Sequence, residues 1–146
     1  MIKEPNSIIL ADDDPDDCQI FKEVLDAMHY GSKLITFTDG AKLVKHVSNN
    51  SKPENHYIFL DINMPKMDGI ECLRYVRSRI SYNSVAVVML STTSVTSTIE
   101  QCYYLGASRY IIKPMTFPKL SEYIARILKM DYEELLAPIS NNFLLV

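Results

Sequence analysis

Tyr57-Ile58-Phe59-Leu60-Asp61-Ile62-Asn63-Met64-Pro65-Lys66-Met67-Asp68-Gly69 is the stretch on which the fold turns. Its first four residues form an apolar run of strand length that ends in a carboxylate. A loop holding Pro65 and Gly69 follows, and Ile70, Leu73, Val76 and Ile80 then recur at helical spacing. A continuous apolar strand followed by a one-sided helix is the repeating unit of a parallel sheet, where every strand must return through a crossover.

The same unit recurs on either side. Upstream, Ser7-Ile8-Ile9-Leu10-Ala11-Asp12 reads as a strand, after which Asp14 can cap a helix and Pro15 suits its first turn. Asp16 and Asp17 sit where the helix dipole favours anions; Ile20, Phe21, Val24, Leu25 and Met28 form the inward face, and Gly31 is the expected stop. Lys33 to Thr38 is a second strand, and a helix from Asp39 to about Asn49 turns Leu43, Val44 and Val47 inward. Downstream, Val85 to Ser91 is the most β-branched run and the expected central strand. A helix from about Thr96 to Leu105, rich in Thr and Tyr, has low intrinsic propensity and is expected to be mobile until Gly106 stops it. Tyr110-Ile111-Ile112 is a fifth strand, and Phe117, Leu120, Ile124, Ile127 and Leu128 mark a fifth helix. Strict alternation predicts an α/β fold, a doubly wound, five-stranded parallel sheet with helices on both faces; the less distinctive end of the second strand, Thr38 and Asp39, suits an edge position in an order that resembles the flavodoxin-like 2-1-3-4-5. Residues 1–130 make that domain. Residues 131–146 are a C-terminal extension whose apolar residues Phe143, Leu144 and Val146 should pack on the domain or on a partner chain.

The bulk properties agree with one domain. The chain has 146 residues, 47% hydrophobic and 23% charged, with 15 basic against 18 acidic side chains and a net charge of -3. Three cysteines (Cys18, Cys72, Cys102) without a C-x-x-C pair point to a reduced, intracellular setting. The longest purely apolar run, Val85 to Leu90, is far short of the ~20 residues of a membrane span. Residues 1–6 lack the apolar core of a signal peptide, so a cytoplasmic protein is expected. The acidic balance without a basic cluster speaks against nucleic acid as a partner. His29, His46 and His56 have no ligand spacing with the cysteines and read as surface or packing residues.

In open parallel sheets, ligands bind beyond the carboxyl ends of the strands. Those ends carry Asp12-Asp13-Asp14, Asp61, Ser91 and, just past the fifth strand, Lys113-Pro114. Carboxylates gathered at one sheet edge coexist in charged form only if a cation or a base intervenes, and Mg2+ with its preference for hard oxygen ligands meets that need. Lys113 adds a positive point charge and Ser91 a hydroxyl, equipment for steadying a phosphoryl group. Asp61 is then the candidate nucleophile, since carboxylates form aspartyl phosphates when nearby positive charge screens the incoming group.

Asp12-Asp13, Asp61 within Leu60 to Gly69, Ser91, Tyr110 and Lys113-Pro114 together resemble the receiver domain of two-component response regulators, in the chemotaxis-type, stand-alone form. The resemblance covers about residues 7–130 and keeps intervals of 48 residues from Asp13 to Asp61, 30 on to Ser91 and 22 on to Lys113. It implies Asp61 as phosphoacceptor from a sensor histidine kinase or phosphotransfer protein, and Asp13 as a direct Mg2+ ligand with Asp12 helping through water. It further implies Asp61 and the Asn63 backbone carbonyl as further Mg2+ ligands, Ser91 and Lys113 on the phosphoryl group, and Tyr110 as a switch that turns inward when Ser91 moves. Such a protein is a phosphoacceptor assisting its own phosphorylation and dephosphorylation rather than an enzyme. Its changed surface, along the fourth helix, fifth strand and fifth helix, would meet a downstream protein target or a second copy of the chain. The acid-rich run from Asp12 to Asp17 further resembles stand-alone receivers paired with phytochrome-like and other sensor kinases. Two departures stand out: Ser91 replaces the commoner Thr, removing a methyl that couples to Tyr110, and Thr92 stands where the family usually has Ala, beside the path to the phosphoryl group.

Rival readings use the same residues. Asp12-x-Asp14, Val87 to Ser91 and Lys113 also resemble motifs of haloacid-dehalogenase phosphatases, with Asp12 as nucleophile, but no acidic metal motif or cap segment accompanies them. A flavodoxin-like electron carrier would need amides and hydroxyls for a phosphate after the first strand, where this chain has five acids between 12 and 17. No P-loop occurs. A receiver-like module that binds its partner without phosphate remains the other alternative.

Overall fold

The computed structural model describes residues 7–53 and 57–146. The expectations for residues 1–6 and for His56 fall outside them. The described elements run β1 (Ser7–Ala11), α1 (Pro15–Ala27), β2 (Lys33–Phe37), α2 (Gly40–Asn49), β3 (Tyr57–Leu60), α3 (Gly69–Ser78), a 3-10 turn (Ile80–Tyr82), β4 (Ala86–Ser91), α4 (Thr96–Tyr104), β5 (Arg109–Ile112), α5 (Phe117–Lys129), α6 (Tyr132–Leu136) and β6 (Leu144–Leu145).

Every strand pairing is parallel, and the sheet order is 2-1-3-4-5-6. Alternate residues of each strand therefore face opposite layers. Ile9, Ile58, Leu60, Val87, Met89 and Tyr110 pack with residues of α2, α3 and α4, while Leu10, Phe59, Val88, Leu90 and Ile111 pack with α1 and α5. Strands β1, β3 and β4 are buried along their length, which is why they read as unbroken apolar runs; β2, at the edge, is half exposed. Short polar side chains cap most helices: Asp14, Asp39, Asp68, Thr116 and Asp131 each accept a first-turn amide. Helix α4 has Val95 at its cap position and so no side-chain cap.

Several boundaries differ from the sequence reading, each for a local reason. Helix α1 ends at Ala27, before Gly31, because His29 itself takes a left-handed conformation (φ 53°) and its N–H bonds to the Asp26 carbonyl. Ile20, Phe117 and Ile80 leave the inward faces assigned to them. Ile20 and Phe117 are partly exposed beside the site, and Ile80 lies beyond the end of α3 in the 3-10 turn.

The largest difference is the sixth strand. The extension turns back as α6, anchored by Tyr132, whose hydroxyl donates to the Ser84 carbonyl (2.7 Å) and accepts from the Ala86 amide (3.1 Å). Arg109, 1% exposed, donates to the carbonyls of Ser108, Glu134 and Leu135 at 2.6, 3.2 and 3.1 Å. A cation at carbonyls that end a helix gives those carbonyls donors without a carboxylate, although the buried Arg109 Nε is left without a hydrogen-bond partner. The chain then lays Leu144 beside Tyr110 and Leu145 beside Ile111 as β6. Phe143 and Leu145 are buried; Val146, expected to pack, is exposed. Two paired residues show no periodicity, which is why this strand was not legible.

Candidate functional site

Ladder bonds past the strand ends place the site's backbone. The Asp12 amide donates to the Phe37 carbonyl (3.0 Å), Asp61 to Ala11 (2.9 Å) and Lys113 to Ser91 (2.9 Å). Asp12, Asp61, Ser91 and Lys113 thus stand at the same edge, where the sequence put them.

Lys113 joins their side chains. Its ammonium lies 2.7 Å from Asp12 Oδ2, 2.9 Å from Asp17 Oδ2 and 3.1 Å from Asp61 Oδ2. The other oxygens are held by backbone: Asp12 Oδ1 accepts from the Asp14 amide (3.0 Å) and Asp61 Oδ1 from the Ile62 amide (2.7 Å). Burial raises the Asp12 carboxyl above its ordinary range despite the ammonium beside it. Burial works to lower the Lys113 pKa, but hydrogen bonds to Asp12 and Asp17 and the charge of Asp61 carry it above the usual lysine range. The lysine therefore keeps its proton.

One ammonium does not neutralise this edge. Carboxylate oxygens of Asp12, Asp13 and Asp61 lie within 4.8 Å of one another, and Asp13 is exposed. An all-oxygen, anionic donor set open on one side suits Mg2+ and offers nothing to a thiophilic metal. Asn63 lies exposed two residues past Asp61, in the loop that would close such a site.

Two glycines seat that loop. A Cβ on Gly69 would stand 2.0 Å from the Asp61 carbonyl oxygen, and one on Gly40 would stand 2.0 Å from that of Met67. The Gly69 amide donates to the Ile62 carbonyl (2.8 Å), so α3 begins directly against the backbone that carries Asp61. Lys66 turns the loop with a left-handed φ of 67°.

Ser91 is fully buried and its Oγ accepts from the Thr93 amide (3.3 Å). Tyr110, also fully buried, donates its hydroxyl to the Thr93 carbonyl (2.7 Å), and burial pushes its pKa up to about 12. Serine and tyrosine thus meet at one residue. Beside the acids, a cleft of about 260 Å³ runs between α1 and the start of α5. Ile20, Phe21, Leu90, Thr92, Pro114 and Met115 are among its lining residues. Met115 is fully exposed.

Asp17 is the residue that sequence reasoning missed, having been assigned only to the helix dipole. The signal was present: Asp17, Phe21, Val24 and Leu25 share one helical stripe, so Asp17 extends the inward face of α1 toward the sheet edge. Arg109 went unnoticed because nothing in a strand marks an arginine as buried.

The cysteines are not placed for chemistry. All three are free, and burial pushes Cys72 up to about 12 and Cys102 to about 11; burial, then the acids Asp12 and Asp17, push Cys18 to about 11. At pH 8 a thiol of pKa near 11 is on the order of 10⁻³ thiolate. Labelling by a chromogenic aromatic disulfide should be slow in the folded chain and fast after denaturation. Rapid labelling of a native cysteine would contradict this.

The model of the response regulator receiver domain matches residues 8–125. Response regulator Rcp1 of Synechocystis is 27% identical over 127 residues, covering 84% of this chain and 86% of its own. Among solved structures, the phosphorylated cyanobacterial phytochrome response regulator RcpA is 28% identical with a TM-score of 0.75, covering 84% of this chain and 91% of its own. The Mn(2+)-bound form of response regulator Rcp1 is 26% identical with a TM-score of 0.74 and the same two coverages.

Proposed function

The chain belongs to the response regulator receiver family, and from that membership we propose that it accepts a phosphoryl group on Asp61 from a sensor histidine kinase or phosphotransfer protein, in a Mg2+-dependent step. The observation that carries this reading is the Lys113 ammonium held within 3.1 Å of three carboxylates, with Asp61 the longest of the three contacts. A phosphoryl oxygen on Asp61 would stand within reach of the same ammonium.

In the transfer, an Asp61 oxygen forms the bond to phosphorus as the bond to the donor imidazole nitrogen breaks. The imidazole keeps that electron pair and takes up a proton. Such transfers need positioning and charge neutralisation more than covalent help. Ile62 N–H orients Asp61, Lys113 meets one phosphoryl oxygen and the Ser91 hydroxyl another. Asp12, Asp13, Asp61 and the Asn63 carbonyl would hold Mg2+, which when bound neutralises the remaining charge. The cleft along α1, rimmed by Ile20, Met115 and Phe117, suits the apolar face of a helix presenting the phosphohistidine. Thr92 at its edge narrows the approach of water to the acyl phosphate.

The output is a surface change read by a downstream protein. If Ser91 closes on the phosphoryl group, it draws on Thr93, whose amide it holds and whose carbonyl holds Tyr110. This couples the acid edge to β5 as a two-state element. We place the protein in the cytoplasm, without nucleic acid as a partner; no helix among the described residues is long and apolar enough to cross a membrane.

The direct test is intact-mass spectrometry after incubation with acetyl phosphate. The chain should gain the mass of one phosphoryl group only with Mg2+ and lose it at alkaline pH. No gain in a folded protein would leave a phosphate-independent binding module in its place. A second expectation concerns the metal: Mg2+ at 100-fold its Kd adds ~2.7 kcal/mol of stability. For a chain of this length that is a rise of roughly 5–10 °C in thermal midpoint. Asp13→Asn should remove most of the rise, and an undiminished one would take Asp13 out of the metal site.

A further inference from the structure

We propose that Asp17 is a positioning residue of the phosphoacceptor site: its carboxylate occupies one N–H donor of the Lys113 ammonium while Asp61 is free, and yields that donor to the phosphoryl oxygen when the group arrives. The inference rests on the reading of Asp61 as phosphoacceptor. It adds a competitor, built into α1, that sets how strongly the lysine grips the phosphoryl group.

A lysine ammonium has three donors and no more. Three carboxylates take them here, Asp12 at 2.7 Å, Asp17 at 2.9 Å and Asp61 at 3.1 Å. A phosphoryl oxygen that reaches Lys113 must therefore displace one of these contacts. Asp61 is the group that carries the phosphoryl, so the choice lies between Asp12 and Asp17. Abandoning Asp12 is costly: its side chain is 2% exposed, and parting a buried pair leaves an uncompensated charge. The Asp17 side chain is 38% exposed, so water can replace the ammonium there. Asp17 also stands in the first turn of α1, where the helix N-terminus favours its charge with or without the lysine.

The contact joins two elements that the chain brings together over 96 residues, α1 and the end of β5. Asp12, Asp17 and Lys113 all line the cleft between α1 and the start of α5, so the tie lies on the face from which a phosphoryl donor would approach. Neutralising Asp17 favours the phosphorylated state in two ways. It frees a donor on Lys113, and it removes a like charge from an edge that must accept a dianionic group. Asp16 separates a specific tie from bulk charge: it is exposed on the same helical turn and carries the same charge, outside the lysine's set of partners.

The test titrates the full chain, at saturating Mg2+, with beryllofluoride, a phosphoryl mimic that seats on a carboxylate oxygen, and follows the bound fluorine signal by NMR. Asp17→Asn should bind it about fivefold more tightly than the parent, the order expected of releasing one half-exposed ion pair, and Asp16→Asn should stay within about twofold. Asp17→Glu restores the charge and should return the affinity to that of the parent. A purely structural role at the start of α1 would move the melting curve and leave these ratios alone. Unchanged or weaker binding by Asp17→Asn, an equal gain in Asp16→Asn, or a gain kept by Asp17→Glu overturns the proposal. An Asp17→Asn chain that does not fold makes the residue structural and overturns it too. The unsubstituted chain gives a reading that needs no variant: in a crystal of its Mg2+ and beryllofluoride form, the Lys113 ammonium and the Asp17 carboxylate should stand more than about 4 Å apart, beyond the limit of an ion pair. The contact kept there overturns the proposal as well. A parent that binds no beryllofluoride would overturn the phosphoacceptor reading and this proposal together, whereas a binding parent without an effect at Asp17 overturns this proposal alone.

Discussion

Asp61→Asn is expected to abolish phosphorylation altogether while leaving the fold at least as stable as the parent. An amide oxygen at position 61 keeps the acceptor for the Ile62 amide, now 2.7 Å away, but lacks the anionic lone pair that forms the bond to phosphorus. The new amide nitrogen, a donor in place of Oδ2, faces the ammonium and turns Lys113 away, but Lys113 keeps Asp12 and Asp17. The cluster of Asp12, Asp13 and Asp61 loses one of three mutually repelling charges, so in metal-free buffer the thermal midpoint should hold or rise, as is common where stability is given up to function. Intact mass after acetyl phosphate treatment reads the first effect and circular dichroism the second. A phosphoryl group retained by the variant would move the nucleophile to Asp12, as in the phosphatase reading. The geometry weighs against that outcome, because the Asp12 carboxylate is the more enclosed of the two, its side chain 2% exposed against 9% for Asp61.

Gly69→Ala should produce a large loss of stability at the seat of Asp61. Two effects oppose one another. Alanine in a helix is favoured over glycine by up to ~1 kcal/mol. Against this, the new Cβ would stand 2.0 Å from the Asp61 carbonyl oxygen and 2.7 Å from Ile62 Cα, both backbone atoms that no rotamer can move aside. Overpacking of this kind costs about 3 kcal/mol or more, so the clash wins. For a chain of this size the midpoint should fall by roughly 5–10 °C. To relieve the contact, either α3 lifts or the Asp61 peptide shifts, and a displacement near 1 Å at a reacting group costs on the order of 10²-fold in rate. Thermal denaturation and the time course of phosphorylation should therefore fall together. A variant as stable as the parent would show that the α3 start is not pinned against Asp61.

The element pattern was legible because strands buried on both faces must be apolar throughout and their crossover helices must be apolar on one side. Tyr57–Leu60 and Ala86–Ser91 carry that signature in full, and so does α5 from Leu120 to Leu128. Asp12, Asp61, Ser91 and Lys113 could be grouped without coordinates because a parallel sheet brings all strand ends to one edge. Asp17 could not be added from spacing at the strand ends, since it belongs to a helix; only its stripe with Phe21, Val24 and Leu25 marks it as inward-facing.

By itself, then, the sequence determined the alternation of strands and helices, a parallel sheet covered on both faces, and the convergence of acids, serine and lysine at one edge. These follow from periodicity and from the chirality and connectivity of parallel strands, which act along the whole chain. Only the tertiary structure decided the sharing of one ammonium among Asp12, Asp17 and Asp61, the seating of Asp61 against Gly69, and the closure of the β5 edge by Phe143–Leu145. Each of those depends on contacts between residues far apart in the chain, where a tenth of a nanometre separates a hydrogen bond from none. A two-residue strand or a single buried arginine is too short to leave a repeating mark on the sequence that encodes it.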